Sequence, residues 1–263
     1  MKNFTCVQLM LLMTLAMNMA EVEKPHEMIN QIHPNVIIQY MRLRSDMGEL
    51  LALYKLYWKH VEGGIVQRKF KLYCNILFNA FNILFDLYFS DADKFNEAKA
   101  ILIHLHNEKY PDERVDSLVW NAESTFEIHV QSNPEEGYSS EELKMSRPHD
   151  RIRRFHPLAL IEYMKSQDDM EELLVLYYLY WRHEHENIQS CTDGLEDYCY
   201  LLLNAYNILF DTYYSGTKDI EKAILVLKNI ENEILAKQTK TKTEKLKTEV
   251  VNLFLQFCYS AGI

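Results

Sequence analysis

The chain has 263 residues, of which 48% are hydrophobic and 25% charged, and its formal net charge is −10. These values are typical of a folded globular protein and exclude a disordered or collagen-like chain. A net negative charge repels phosphate backbones, so nucleic acid is not an expected partner. The sequence holds only 7 glycines, and it lacks GxxxxGK[ST], GxGxxG, GxSxG and HExxH. The familiar nucleotide, hydrolase and zinc-protease motifs are therefore excluded.

Residues 1–20 predict a secretory signal peptide. Lys2 precedes an apolar run that begins at Val7, the segment contains no acidic residue, and small residues stand at Ala16 and Ala20. The apolar run is shorter than the roughly 20 residues that a bilayer-spanning helix needs. We expect cleavage after one of these two alanines and a secreted, extracellular protein without an integral membrane segment.

The rest of the chain contains an internal repeat. Residues 33–60 and 156–183 align without gaps and are identical at 16 of 28 positions. Residues 73–90 and 198–215 are identical at 12 of 18 positions. The offset is 123 residues in the first block and 125 in the second. The sequence therefore predicts a tandem duplication, with two residues gained in the connection between the blocks of the second copy.

Each repeat predicts four helices. Apolar side chains spaced three and four residues apart share one face of the first helix: Met47, Leu50, Leu51, Tyr54 and Trp58. Further helices are expected near 68–89, 93–107 and 113–131, and in the second copy near 195–214, 218–235 and 244–259. Asp46 and Glu49 occupy the spacing of an N-cap and its reciprocal N3 acid, as do Asp169 and Glu172.

The predicted fold class is all-α, with two related helical bundles joined by a polar linker. The expected boundaries are a signal peptide at 1–20, repeat 1 at 21–131, the linker at 132–154 and repeat 2 at 155–263.

A basic segment closes the predicted linker. Arg151, Arg153 and Arg154 form an Arg-x-Arg-Arg sequence that resembles the recognition site of secretory-pathway proprotein convertases. Such proteases need an exposed, extended substrate, and the aligned residues 29–32 of the first copy contain no arginine. The arginines are a candidate processing site; the alternative is a solvated basic cluster.

A polar stripe marks the central helix of each repeat. Spacings of three and four residues place its members on one face: Asn79, Asn82 and Asp86 in the first copy, and Asn204, Asn207 and Asp211 in the second. On so apolar a helix these side chains must be solvated, hydrogen-bonded within the bundle, or directed at a cavity or partner. One Asp per repeat is a poor acid–base constellation, so no catalytic residue is expected.

A run of alternating histidine and glutamate ends the first long helix of the second copy. In the segment 183–186, only His183 and Glu186 share a helix face. A zinc site needs more ligands that converge. We expect no bound metal or other cofactor, and interpret this run as a solvated helix end.

Four cysteines follow the predicted signal peptide. Cys74 and Cys199 are aligned positions, either buried free thiols or partners of each other, whereas Cys191 and Cys258 have no counterpart in the first copy. In an oxidising compartment we expect a Cys191–Cys258 disulfide, which would tie a loop to the last predicted helix.

Aromatic residues recur along the helices and are expected to fill the core: Tyr54, Tyr57, Trp58, Phe70, Tyr73, Phe78, Phe81, Phe85 and their counterparts. The leading functional prediction is a secreted, non-catalytic signal or effector that binds a receptor or other extracellular protein. The alternative is an extracellular carrier of a lipid-like or other apolar small molecule held between the helices.

Overall fold

The computed structural model describes residues 24–62, 68–111, 147–185, 194–215 and 219–236, together with Asn252. Within these residues 83% are helical and none is in a strand. The prediction of an all-α fold is confirmed.

Two sets of helices follow one another along the chain. Unit 1, the described part of 24–111, contains α1 (Pro25–Met28), α2 (Pro34–Arg42), a 3-10 turn (Ser45–Met47), α3 (Gly48–Glu62), α4 (Arg68–Tyr88) and α5 (Ala92–Lys109). Unit 2, the described part of 147–236, contains α6 (Pro148–Ile152), α7 (Pro157–Lys165), α8 (Glu171–His185), α9 (Leu195–Tyr213) and α10 (Ile220–Ala236). The predicted central and third helices are confirmed, and the predicted fourth helices near 113–131 and 244–259 lie outside the described residues.

The same local device starts the second helix of each unit. Nδ1 of His33 accepts a hydrogen bond from the backbone N–H of Asn35 at 3.2 Å, with Pro34 at the first helical position. Nδ1 of His156 accepts from the backbone N–H of Leu158, also at 3.2 Å, and is likewise followed by proline. An N-cap acceptor followed by proline satisfies a free helix N–H and presets the backbone for the helix.

The two central helices pack against each other. Each also packs against the long helix before it, so that α3, α4, α9 and α8 form a continuous series. A side chain added at Gly194, at the start of α9, would contact Leu87 and Ile83 near the end of α4. The two central helices therefore run in opposite directions.

A single apolar core extends through both units. Corresponding ring pairs lie in it, with ring centroids 4.7 Å apart for Tyr54 and Phe81 and 4.9 Å apart for Tyr177 and Tyr206. We expected two related helical bundles joined by a polar linker; in the described residues the helices of both units share one core. A helix that is apolar nearly all round must be covered on several sides, and the central helix of the other unit covers one of them.

The start of unit 2 also differs from the predicted boundary. The linker was expected to reach residue 154, but α6 begins at Pro148 and packs against α9. Ile152 and Phe155 are buried, with 1% and 5% of their surfaces exposed. These two apolar anchors attach residues 147–154 to the core, so this stretch belongs to unit 2.

Candidate functional site: two carboxylate clusters between the units

The first cluster surrounds a glutamate of unit 1 with donors from unit 2. Oε1 of Glu49 accepts hydrogen bonds from Nε2 of His183, at 2.8 Å, and from the hydroxyl of Tyr198. Its other oxygen accepts from the guanidinium of Arg182. The Glu49 side chain is only 12% exposed. We call Glu49, Arg182, His183 and Tyr198 the Glu49 cluster.

The second cluster reverses the roles of the units. Oε1 of Glu172 accepts from Nε2 of His60, at 2.7 Å, and from the hydroxyl of Tyr73, at 2.5 Å. Its other oxygen accepts from Nζ of Lys59 at 3.2 Å. The Glu172 side chain is 13% exposed. We call Glu172, Lys59, His60 and Tyr73 the Glu172 cluster.

The surroundings keep both carboxylates ionised. Burial by itself would raise the pKa of Glu49, but the hydrogen bond from His183 and the charge of Arg182 outweigh it and lower the pKa below its usual 4.5. Burial is likewise outweighed at Glu172, where the hydrogen bond from His60 leads the causes that lower the pKa.

The tyrosines of the two clusters keep their protons. Burial, followed by the charge of the adjacent glutamate, raises the pKa of Tyr73 and of Tyr198 well above 10. Each cluster thus consists of an anionic acceptor and three donors, and every donor is bonded to the acceptor. Such an arrangement holds the two units together, because both oxygens of each carboxylate accept hydrogen bonds from side chains of the other unit.

These contacts differ from two expectations. Glu49 and Glu172 were expected to return to the starts of their own helices as reciprocal N3 acids, but their carboxylates face the other unit. His183 was expected at a solvated helix end, whereas its side chain is only 6% exposed. The repeat contained a signal for both clusters, because Glu49, His60 and Tyr73 recur at equivalent positions as Glu172, His183 and Tyr198.

The aspartate of each polar stripe holds a histidine that sequence analysis missed. Asp86 accepts from the backbone N–H of His26 at 3.0 Å and pairs with its Nδ1 at 2.7 Å. Asp211 contacts His149 in the same two ways, also at 3.0 and 2.7 Å. Since Pro-His stands at 25–26 and again at 148–149, the repeat offset of 123 could have identified both histidines.

These Asp–His pairs fasten short helices to long ones. His26 lies in α1 and His149 in α6, helices of four and five residues that could not persist alone. The pairs attach them to α4 and α9 respectively. The sequence left three possibilities for the polar stripe: contact with solvent, hydrogen bonds within the bundle, or contact with a cavity or partner. Asp86 and Asp211 form hydrogen bonds within the fold.

The asparagines of the stripe have different surroundings. Asn82 is buried, and its Oδ1 has no hydrogen-bond partner in the described residues. It lines a pocket with Tyr54 and Phe81 that has room for about one water molecule. Asn79, Asn204 and Asn207 are partly exposed. A group the size of a lipid would not fit this pocket.

The candidate processing site is held by the fold rather than extended. Arg151 lies in α6 and pairs with Glu221, while Arg153 and Arg154 occupy the turn that follows. The side chain of Arg153 is 79% exposed. The basic side chains are accessible, but the backbone is fixed by the buried anchor residues on either side.

The aligned cysteines are free thiols. Cys74 is buried and Cys199 partly buried, and burial raises the pKa of each to about 11. Thiols with so high a pKa are poor nucleophiles at neutral pH. Cys191 and Cys258, the predicted disulfide partners, lie outside the described residues.

Neither a metal site nor a single membrane-spanning helix is found in the described part of the chain. Within it, no group of three or more His, Cys, Asp or Glu side chains could hold an ion. No helix there is both long and apolar enough to cross a bilayer. Two consecutive helical segments, Phe70–Tyr88 and Ala92–Lys109, would together be long and apolar enough to cross a bilayer, but the chain bends by 119° between them.

Three comparisons with known proteins gave no match to this chain: a scan of protein-family models, a search of curated proteins and a search of solved structures.

Proposed function

We propose that this chain is a secreted, non-catalytic protein that acts outside the cell by binding a receptor or another protein through its helical surface. The observation that carries the proposal is the pairing of four partly buried carboxylates. Glu49, Glu172, Asp86 and Asp211 are each bonded to side chains of the chain itself. Groups that could perform acid–base chemistry are thus used to hold the helices together, which leaves the outer surface for recognition.

The N-terminal sequence supports the extracellular part of the proposal. The layout of residues 1–20 is that of a signal peptide. The predicted Cys191–Cys258 disulfide belongs to the same proposal, because such a bond persists in an oxidising compartment.

The carrier alternative has weaker support. Rings of the core contact one another closely, as in Phe85 and Phe89, whose centroids are 4.6 Å apart. The pocket beside Asn82 holds about one water molecule. A bound lipid would need a cavity of several hundred Å³, and the pocket beside Asn82 is far smaller than that.

We also propose that the two units arose as a tandem duplication of one four-helix unit. The repeated sequence blocks support it. The equivalent Asp–His pairs and carboxylate clusters support it as well, because each recurs at the repeat offset.

The test begins with secretion. The full chain should enter the medium of expressing cells with a new N-terminus after Ala16 or Ala20, as read by mass spectrometry of its N-terminal peptide. A matched variant without residues 1–20 should stay inside the cells. If the full chain also stays inside, the extracellular proposal is wrong, whereas a chain in the medium that keeps Met1 would contradict the cleaved signal peptide.

The binding part of the proposal is tested on the secreted protein. Labelled chain should bind intact cells of its source organism saturably and be displaced by unlabelled chain, and treating those cells with protease should abolish the binding. Native mass spectrometry of the same material should give the mass of the bare chain. A defined small molecule released on denaturation, with no saturable binding to cells, would instead support the carrier.

A further inference from the structure

Each unit carries both halves of the interface between the units. Unit 1 supplies an acceptor, Glu49, and a set of donors, Lys59, His60 and Tyr73. Unit 2 supplies the equivalent acceptor, Glu172, and an equivalent set of donors: Arg182, His183 and Tyr198. A surface that contains both an acceptor and its matching donors is self-complementary, as at the interface of a two-fold dimer.

The two halves also match in geometry. The histidine-to-glutamate distances are 2.7 Å for His60 and Glu172 and 2.8 Å for His183 and Glu49. The central helices, which pack against each other in opposite directions, share 12 of 18 aligned residues between 73–90 and 198–215. A unit that fits its partner within one chain therefore fits the same partner supplied by another chain.

We propose that this chain pairs with a second copy of itself by exchanging units, so that unit 1 of each chain packs against unit 2 of the other. The exchanged dimer contains two Glu49 clusters and two Glu172 clusters, which is the number found in two separate chains. Among the residues that the structure describes, exchange loses no contact between the units and requires no new interface.

Chain connectivity decides between the closed monomer and the exchanged dimer. The connection between the described units, 112–146, is 35 residues long, and that many residues can span up to roughly 120 Å. Because this connection is covalent, each unit meets the partner unit of its own chain at a raised effective concentration. The monomer should dominate in dilute solution, and the exchanged dimer should increase with concentration whenever chains fold together.

The experiment uses full-length protein of natural and heavy isotopic composition, with a site for a specific protease inserted between Ser139 and Ser140. The two preparations are mixed, unfolded in denaturant, refolded over a range of concentrations and examined by native mass spectrometry. The connection is then cut, and the noncovalent pairs of units are weighed again.

Exchange predicts a dimer of mixed isotope composition. After cutting, this dimer should separate into pairs of single-chain mass that join a light unit 1 to a heavy unit 2. While dimers are the minority, the fraction of units in mixed pairs should increase about tenfold for each tenfold rise in chain concentration. Chains that were cut first and then mixed provide the control for units that change partners after cutting.

Two results would overturn the proposal. One is a monomer at every concentration, with mixed pairs no more abundant than in that control. The other is a dimer that after cutting yields only light–light and heavy–heavy pairs, because that outcome describes chains lying side by side without exchange.

Discussion

At the residue scale, the stability of the molecule depends on how its buried charges are paired. Removing a carboxylate from water costs several kcal/mol unless donors surround it. Glu49 and Glu172 each accept three hydrogen bonds, all from the other unit. Each carboxylate therefore stabilises the interface only while its donors are present.

The substitution Glu49→Gln should lower the free energy of unfolding by about 2 kcal/mol, because charge-assisted hydrogen bonds contribute roughly 1.5–3 kcal/mol. Denaturant unfolding followed by circular dichroism measures the change. Glu108→Gln, at an exposed position of α5, is the matched control and should change the value by less than about 0.5 kcal/mol. Equal effects of the two substitutions would contradict the role of Glu49.

The same carboxylates predict a loss of stability in acid. Their pKa values are lower in the folded chain than the usual 4.5. Their contribution is therefore present above about pH 4.5 and is lost as the pH falls through the lower folded values. The free energy of unfolding should decrease as the pH falls from about 5 to about 3. It should decrease less steeply in Glu49→Gln, and parallel pH profiles would contradict this assignment.

The raised pKa of the Cys74 thiol predicts slow reaction with an alkylating reagent. A rise in pKa from 9.0 to about 11 reduces the thiolate fraction of Cys74 roughly 100-fold at pH 8. Alkylation of Cys74, followed by peptide mapping, should be at least that much slower in the folded chain than in denaturant. Equal rates would mean that the thiol is exposed.

At the element scale, the helices that the sequence predicted well are those that local spacing defines. The apolar residues that define the first long helix, such as Met47, Leu50 and Leu51, lie three or four positions apart along the chain. By contrast, His60 and Glu172 are 112 residues apart, and no local pattern joins them. The only signal for such contacts in the sequence is that the same residue types recur at equivalent positions of both repeats. The repeat by itself does not show that the two units pack against each other.

Each short helix is held to a central helix by an Asp–His pair, and the stretch that contains α6 is held also by the buried side chains of Ile152 and Phe155. Residues 151–154 can become an extended protease substrate only when α6 leaves α9, and the bonds between His149 and Asp211 oppose that opening. His149→Ala should therefore speed trypsin cleavage after Arg153 and Arg154 at least tenfold, a factor that corresponds to about 1.4 kcal/mol. Timed digests analysed by mass spectrometry measure the rate.

The repeat supplies a matched control for this experiment. His26→Ala removes the equivalent pair in unit 1 and should leave cleavage at 151–154 unchanged. If both variants were cut at the wild-type rate, the Asp–His pair would not be what holds α6 in place. The same variants would show whether a convertase needs this opening.

At the scale of the whole molecule, the two repeats form one body because neither can cover its central helix alone. Composition predicted a folded protein, the helical spacing of apolar residues predicted the all-α class, and the repeat predicted related units. The shared core was not predicted, because an apolar helix surface does not specify which helix covers it. Packing between α4 and α9 determines that choice, and the two clusters fix how the units are aligned.

Hydrogen–deuterium exchange on the full chain and on Glu49→Gln tests whether the two units unfold together. The substituted residue lies in unit 1, whereas the donors it releases belong to unit 2. In Glu49→Gln we expect amide protection to fall by a similar free energy in α4 and in α9, because the two helices belong to one cooperative unit. A loss of protection confined to unit 1, with α9 unchanged, would show that the units fold independently and would contradict the account.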